Sequence, residues 1–307
     1  MNILKKAQLS VGLPIYNGAN FIRDAIDSLL VQQGVDFELI ISDNGSTDRT
    51  PEICQEYVIR DKRVKYYRNE LNRGPVWNFN NVFKLSSADY FMWAAHDDYW
   101  DPLYMKTCLE AFKQSSNVVL AGTACDNISA QTSQVIYTDE GLTTVGLKPI
   151  DRFKRYKEVL HNHKHVGGIF YGIYKRDALT TAMPLHNIIT SDHLLPAQLS
   201  LLGEFVTSQE RLMKKRWGGG SDSLKKAARV MRISNPFLVR PVYLVREIFF
   251  QIIIFTSDRL SFLDKMKLSF WSLGNYLWLC LKIGYWSVRD FIKPFLGMGN
   301  KKMAGQG

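Results

Sequence analysis

The sequence predicts an α/β fold, a mainly parallel sheet flanked by helices with a helical appendage at its C-terminal end. Short apolar strands alternate with amphipathic helices through the first hundred residues, and clusters of polar residues follow the first, second and fourth of those strands. A βαβαβαβ order makes neighbouring strands parallel and their crossovers right-handed. Sheets of this kind bind ligands outside the carboxyl ends of their strands. At 307 residues the chain can bury a large core, as one big domain or one domain with an appendage.

The elements follow in order. Leu9 to Leu13 reads as the first strand, stopped by Pro14 and followed by the loop Ile15-Tyr16-Asn17-Gly18. Phe21, Ile22, Ala25, Ile26, Leu29 and Leu30 then recur at helical spacing, with Asn20 as N-cap and Gly34 past the end. Phe37 to Ser42 is the second strand and runs into DNGSTD at Asp43. Thr50 as N-cap with Pro51 at the first helical position opens a helix ending near Arg60. Val64 to Tyr67 is a third strand, Asn72 to Pro75 a turn, Val76 to Leu85 a helix and Tyr90 to Ala95 a fourth, fully buried strand. Val118 to Thr123 is a further strand, and Ile128 to Leu147 a polar hairpin or excursion. Residues 151 to 165 read as a helix, VGGIFYGIYKRDALT as a strand leading into one, and within 188 to 205 Leu194 to Leu202 read as an amphipathic helix with Pro196 in its first turn and Asp192 just before it.

Three loops at strand ends carry the candidate chemistry. The fourth strand ends in His96, Asp97 and Asp98. Adjacent carboxylates repel each other and lose hydration on burial unless a cation or a ligand hydroxyl compensates. Hard oxygen ligands of this kind suit Mg²⁺ or Mn²⁺; a solvated acidic loop is the alternative. The chain has no G-x-G-x-x-G loop and no Walker lysine, so a divalent ion at Asp97-Asp98 is the natural means of neutralising a diphosphate. Asp43 is then free to accept hydrogen bonds from a base or ribose. Asp192 stands at the start of the helix near residue 192, where a carboxylate is favoured electrostatically and also serves as an ordinary N-cap.

LSVGLPIYNGANFIRDAIDSLLVQQGVDFELIISDNGSTDRTPEI and NRGPVWNFNNVFKLSSADYFMWAAHDD resemble the N-terminal half of the family 2 glycosyltransferases of the GT-A fold. The ordered set P-x-Y-N, strand-D-N-G-S-T-D, N-x-G and strand-x-D-D carries the resemblance. It implies a Rossmann-like mixed sheet, a nucleotide-diphospho-sugar donor, Mg²⁺ or Mn²⁺, and inversion at the anomeric carbon. Residue by residue, it implies that Pro14, Tyr16 and Asn17 line the nucleotide, that Asp43 contacts the base or ribose, and that Asp98 ligates the metal. Asp97 falls near the donor ribose or sugar, and Asp192 on the family's catalytic base. Arg73 is a further nucleotide contact or a solvated turn residue. Arg216 and Trp217, in KKRWGGGSDS, are candidates for a mobile lid over the donor phosphates; a flexible linker into the tail is the alternative. His96 departs from the commonest pattern, in which an acidic or small residue precedes the pair.

The resulting division is a catalytic domain at 1–220, made of a nucleotide-sugar half (1–123) and an acceptor half (124–220), and a basic, aromatic-rich tail at 221–307. Residues 211 to 307 carry 18 Lys and Arg against 5 Asp and Glu, a net +13, whereas the first 210 carry 21 against 24. An anionic partner for the tail follows. No segment supplies about twenty clean apolar residues, so helices lying on an anionic membrane surface are expected, with Trp271, Tyr276, Trp278, Tyr285 and Trp286 at headgroup depth. Packing on the catalytic domain or on a second subunit, giving an oligomer, is the competing expectation. Nucleic acid is not, because the aromatics lie in apolar helical patterns. Cys54, Cys108, Cys125 and Cys280 lack metal-type spacing and read as reduced thiols of a cytoplasmic protein. His161, His163 and His165 alternate as on a strand face and read as exposed or acceptor-contacting residues rather than metal ligands. No signal peptide is expected from the N-terminus.

The functional expectation is a metal-dependent inverting glycosyltransferase transferring to a glycan or lipid-linked acceptor in polysaccharide or lipid-linked glycan synthesis, peripheral on the inner face of the cell membrane. The alternative is an inactive nucleotide-binding scaffold that recruits partners through its basic tail.

Overall fold

The computed structural model describes residues 6–161, 167–217 and 242–292. Among them, nine strands form one mixed sheet. Strands β1 (Leu9–Ile15), β2 (Phe37–Asp43), β3 (Val64–Arg68) and β4 (Tyr90–Trp93) are parallel, in the spatial order 3-2-1-4. Helices α1 (Ile22–Leu30), α2 (Thr50–Arg60) and α3 (Pro75–Leu85) make the crossovers. β1 and β2 are buried along their whole length, as apolar runs covered by helices on both faces must be. The α/β class and this βαβαβαβ half are as the sequence predicts.

β1 runs two residues beyond the predicted end at Leu13, through Pro14, whose register partner is Ser42. The reason is geometric. Gly12 turns its carbonyl toward β4, where Ala94 N–H reaches it at 2.8 Å, and Pro14, two residues on, faces the same side. β4 pairing has ended there, at Gly12↔Trp93, so the missing proline N–H leaves no ladder bond broken. Pro14 is therefore a strand residue, and the loop proper begins at Tyr16. Neither helix cap is as expected: α1 has Phe21 and α2 has Arg49 at the N-cap position, and no side chain caps either helix.

The second half adds β5 (Tyr99–Trp100), α4 (Tyr104–Ala111), β6 (Val118–Ser129), β7 (Val135–Asp139), α5 (Pro149–His161), α6 (Gly167–Phe170), β8 (Ile173–Lys175), α7 (Arg176–Ala182), α8 (Ser191–Leu202) and β9 (Glu204–Trp217). β6 runs six residues past the predicted strand end at Thr123 and pairs antiparallel with β7, which lies within the predicted 128–147 hairpin or excursion. β8 pairs antiparallel with both β4 and β6, which makes the sheet mixed. Pro196 lies in the second turn of α8, not the first, since the helix opens at Ser191. His163 and His165 lie outside the described residues. The largest correction is at Lys214–Trp217, predicted as the start of a mobile lid. These residues are the end of β9, held in parallel register with β6 as far as Ser129↔Trp217. Gly218 to Ser223 lie outside the described residues.

Two apolar clusters cover the two faces of the sheet. Trp93, at the end of β4, stacks on Phe170 at 5.1 Å and meets Phe91 and Tyr174 edge-on, while its Nε1–H donates to the Phe79 carbonyl at 3.1 Å. This aromatic block fixes the strand end from which Asp97 and Asp98 emerge.

The tail forms α9 (Val242–Thr256) and α10 (Phe262–Ile292). Phe250, Ile254 and Leu268 are buried in the same core cluster as α8. Trp271 packs inward under Lys154 and Lys157 instead of lying at headgroup depth. Trp278 faces out, Tyr276 is half-buried, and the side chains of Tyr285 and Trp286 lie outside the described part. Among the described residues no helix is long and apolar enough to cross a membrane. Cys54, Cys108 and Cys125 are buried free thiols, and Cys280 is exposed.

Candidate active site

The loops after β1, β2 and β4 converge. Asn17, in the left-handed region at φ 53°, accepts the Thr47 N–H on its Oδ1 at 2.8 Å and donates its own N–H to Ser46 Oγ at 2.9 Å. Gly18 donates to Thr50 Oγ1, and a Cβ on it would stand 2.7 Å from the His96 ring, so only glycine lets the first loop close on the fourth. Tyr16 is left with its ring 43 % exposed at the rim. Asn44, buried, donates to Asn72 Oδ1 and the Gly74 carbonyl and accepts the Arg73 N–H, which ties the second loop to the 72–74 turn. The Arg73 guanidinium lies 4.8 Å over Trp77, so here it covers that ring at the surface.

Asp43 is not free in the way the sequence suggests. It is fully buried; Oδ1 accepts from the Ser46 N–H at 2.8 Å and Oδ2 from the Tyr66 hydroxyl at 2.6 Å, with Arg68 3.7 Å away. In this structure it shapes the loop that would hold a base. The Tyr66 hydroxyl could not have been placed there from sequence, because it arrives through the β2–β3 register.

Asp98 is the opposite case. It is 1 % exposed; Oδ1 accepts the Arg216 backbone N–H at 3.0 Å, while Oδ2 is buried with no partner. Burial pushes its carboxyl up to about 7, with Lys215 pulling it down and Asp97 adding to the rise. A buried acceptor without a donor is costly, and a divalent cation is the group that would satisfy this one. The setting is built by β5: Tyr99 pairs with Lys214 and Trp100 with Met213, which clamps the chain just past Asp98 to β9. Arg216 fastens this corner, since its guanidinium donates to the Asp97 carbonyl at 3.3 Å and to Asp24 at 2.9 Å and lies over Phe21. Trp217 donates from Nε1 to Asn127 at 2.8 Å and meets Tyr137 edge-on. Both are strand-end residues bound to their surroundings. Among the described residues no cluster of three or more His, Cys, Asp or Glu side chains is arranged to hold a metal.

Asp192 lies in the first turn of α8 with its side chain 58 % exposed. It is not the N-cap. That position belongs to Thr190, a β-branched residue held at φ 83°, and no side chain caps the helix. α8 opens at Ser191, after this left-handed residue, and Asp192 follows in the first turn. His193 Nε2 is 3.9 Å from the Asp192 carboxylate, and burial, outweighing Asp192, moves that imidazole below its usual pKa. Burial first, then the charges of Asp98, Asp97 and Asp192, push the Tyr171 hydroxyl well above the usual value. One side chain thus stands within electrostatic range of all three carboxylates. An open concavity of about 690 Å³ around Tyr137, Asp139, Arg155 and Gln209 contains none of these residues.

Residues 10–181 match the model of glycosyl transferase family 2. The chain belongs to that family. An uncharacterised glycosyltransferase of Rickettsia typhi is 37 % identical over 94 residues, 31 % of this chain and 28 % of that protein. The chondroitin synthase of Escherichia coli is 30 % identical over 149 residues, 46 % of this chain and 22 % of that one. The chain thus matches under a third of the length of either relative. In fold it is similar to residues 1–349 of S. aureus TarS in complex with UDP-GlcNAc, with a TM-score of 0.63 at 19 % identity, covering 85 % of this chain and 70 % of that one. It is also similar to the mannosyltransferase PcManGT of Pyrobaculum calidifontis in complex with GDP-Man and Mn²⁺, with a TM-score of 0.50 at 13 % identity, covering 96 % and 83 %. This family 2 glycosyltransferase accordingly has the GT-A fold. His193, Lys215 and Arg246 were not singled out in the sequence; only the adjacency of His193 to Asp192 marked any of them.

Proposed function

We propose that this family 2 glycosyltransferase is an inverting enzyme that moves a sugar from a nucleotide-diphospho-sugar to an acceptor hydroxyl, with Asp192 as general base. The observation that carries the reading is Asp192 itself: exposed, unused as a helix cap, and standing in the first turn of α8 beside His193. Its carboxylate takes the proton from the acceptor hydroxyl as that oxygen attacks the anomeric carbon. The new C–O bond forms on the face opposite the departing diphosphate. The electron pair of the broken bond leaves with the diphosphate, and the configuration inverts. In the nucleotide half, 1–123, the Tyr16 ring is open for contact with the base, and Asn17, Asp43 and Asn44 hold the cradle around it; Pro14 supports it from β1, and Arg73 flanks its 72–74 side. Residues 124–220 form the acceptor half. TarS with UDP-GlcNAc and PcManGT with GDP-Man support the donor class.

Asp98 would hold Mg²⁺ or Mn²⁺ through Oδ2, with Asp97 beside it. Such an ion, when bound, offsets negative charge on the diphosphate. Titration of UDP and GDP with and without Mn²⁺ tests this: affinity should rise with the metal in the wild type, and Asp98→Ala should abolish that rise while metal-free binding persists. Equal affinity with and without metal in the wild type would remove Asp98 from this role.

The tail supports action at a membrane surface on a glycan or lipid-linked acceptor. With one face of each tail helix buried, Ile248, Ile252 and Phe255 remain exposed on one side of α9, and Leu263, Phe270 and Leu277 at seven-residue intervals along α10. Such spacing keeps residues on one helix face, and the surrounding segment is strongly basic, which matches an anionic bilayer. In flotation with vesicles containing anionic phospholipid, the full chain should rise with the lipid and a Leu263→Glu, Phe270→Glu, Leu277→Glu variant should stay below. Equal flotation of both would rule the surface out. A dimer that dissociates in that variant would assign the face to a second copy instead.

A further inference from the structure

The tail also reaches the acceptor side of the site. Arg246, on α9, is 6 % exposed, and its Nη1 lies 3.5 Å from His193 Nδ1. Its guanidinium stands over the rings of Tyr243 at 5.1 Å and Phe250 at 5.9 Å, and Asp192 is among the charges it feels. Among the described residues no carboxylate comes within ion-pair distance of it. Lys215 is on β9. Its Nζ is 5.0 Å from the Tyr171 ring, and it too has no ion pair among the described residues. Its charge acts on both Asp98 and His193.

Burying a guanidinium costs several kcal/mol, on the order of the penalty for any ion, unless an anion compensates it. Rings and an imidazole compensate it only in part. A planar fork of N–H donors matches the two oxygens of a carboxylate or phosphate. Arg246, buried beside His193 with no carboxylate within ion-pair distance among the described residues, therefore has the character of a subsite for an oxyanion.

We propose that Arg246, assisted by Lys215, forms an anion subsite beside Asp192, and that the acceptor carries a carboxylate or phosphate close to the hydroxyl that receives the sugar. The proposal rests on the reading of Asp192 as the acceptor-side base. It assigns the tail a role within the site itself: α9 supplies the specificity-determining residue.

The test uses the full chain with Mn²⁺ and whichever of UDP or GDP binds it. Binding of three probes is measured by calorimetry: methyl glucoside, glucuronate and glucose 6-phosphate, alike in the ring and different in charge. At least one charged probe should bind about tenfold or more tighter than the neutral one, the scale of one hydrogen-bonded charge. The tighter of the two names the source, uronate or phosphate. Arg246→Gln should erase the preference, Arg246→Lys should keep part of it, and nucleotide affinity should be unchanged in both. Lys215→Gln, at a half-buried position that tolerates the change more easily, should weaken the charged probe in the same sense. Equal binding of neutral and charged probes, no binding of either charged probe, or a preference that survives Arg246→Gln would overturn the proposal. So would a uniform fall in turnover across neutral and charged acceptors, which would make Arg246 a positioning residue for Asp192. Failure of the nucleotide itself to bind would instead sink the donor reading.

Discussion

Asp192→Asn should lower sugar transfer by roughly 10²–10⁴-fold, the contribution of a positioned general base, while UDP or GDP binds as in the wild type. The amide keeps the size and polarity of the side chain and removes the site that accepts the proton. Because Asp192 caps no helix and is largely exposed, the change should alter stability by no more than about 0.5 kcal/mol, so lost turnover cannot be blamed on unfolding. Initial rates on a panel of nucleotide-sugars, paired with nucleotide titrations of both proteins, separate the outcomes. Near-normal transfer by the variant would show that another group takes the proton, and His193, whose neutral form burial favours, is the next to test. A wild type that binds nucleotide and turns over none of the panel would favour the inactive scaffold.

What was legible in the sequence follows physical lines. The strands and helices of the first hundred residues could be read because each apolar run is short, periodic and bounded by turn residues, and the loops at their ends bring together Tyr16, Asn17, Asp43, Asp97 and Asp98. Strand ends were misjudged where pairing partners decide them. Pro14 stays in β1 because β4 stops short of it, and Lys214 to Trp217 stay in β9 because β6 runs twelve residues. The glycines after Trp217 suggested a loop; no local signal could reveal a distant strand that holds the residues before them. Asp43 looked available because its partners, Ser46 N–H and Tyr66, arrive through folding. Arg246 was unreadable for the same reason. It is one cation among many in a basic tail, and only the docking of α9 against α8 sets it beside His193.

That docking is held by a buried ion pair, and Lys157→Met should expose it by destabilising the protein by about 3–5 kcal/mol. Lys157 Nζ donates to Glu247 Oε2 at 2.6 Å, to the Ser272 carbonyl at 3.0 Å and to Ser272 Oγ; Ser272 and Gln251 in turn donate to Glu247 Oε1. The network joins α5, α9 and α10 at one point, and Lys157 and Glu247 are 0 % and 4 % exposed. Burial pushes the lysine down to about 8 against the pull of Glu247, so it is still mostly charged at neutral pH. Methionine fills nearly the same volume but leaves the Glu247 carboxylate buried beside apolar rings, where an unpaired charge is strongly disfavoured. Replacing both partners, Lys157→Met with Glu247→Leu, removes the stranded charge and should recover much of the loss, although Ser272 and Gln251 then lose their acceptor. Thermal melts of the single and double variants check this. A Lys157→Met protein that melts with the wild type would show that apolar packing alone fixes the tail. Arg246 is the residue before Glu247, so loosening this joint should also disturb the position of the guanidinium beside His193. Charged-probe binding falling in the single variant and returning in the double would link the joint that holds the tail to the subsite that the tail completes.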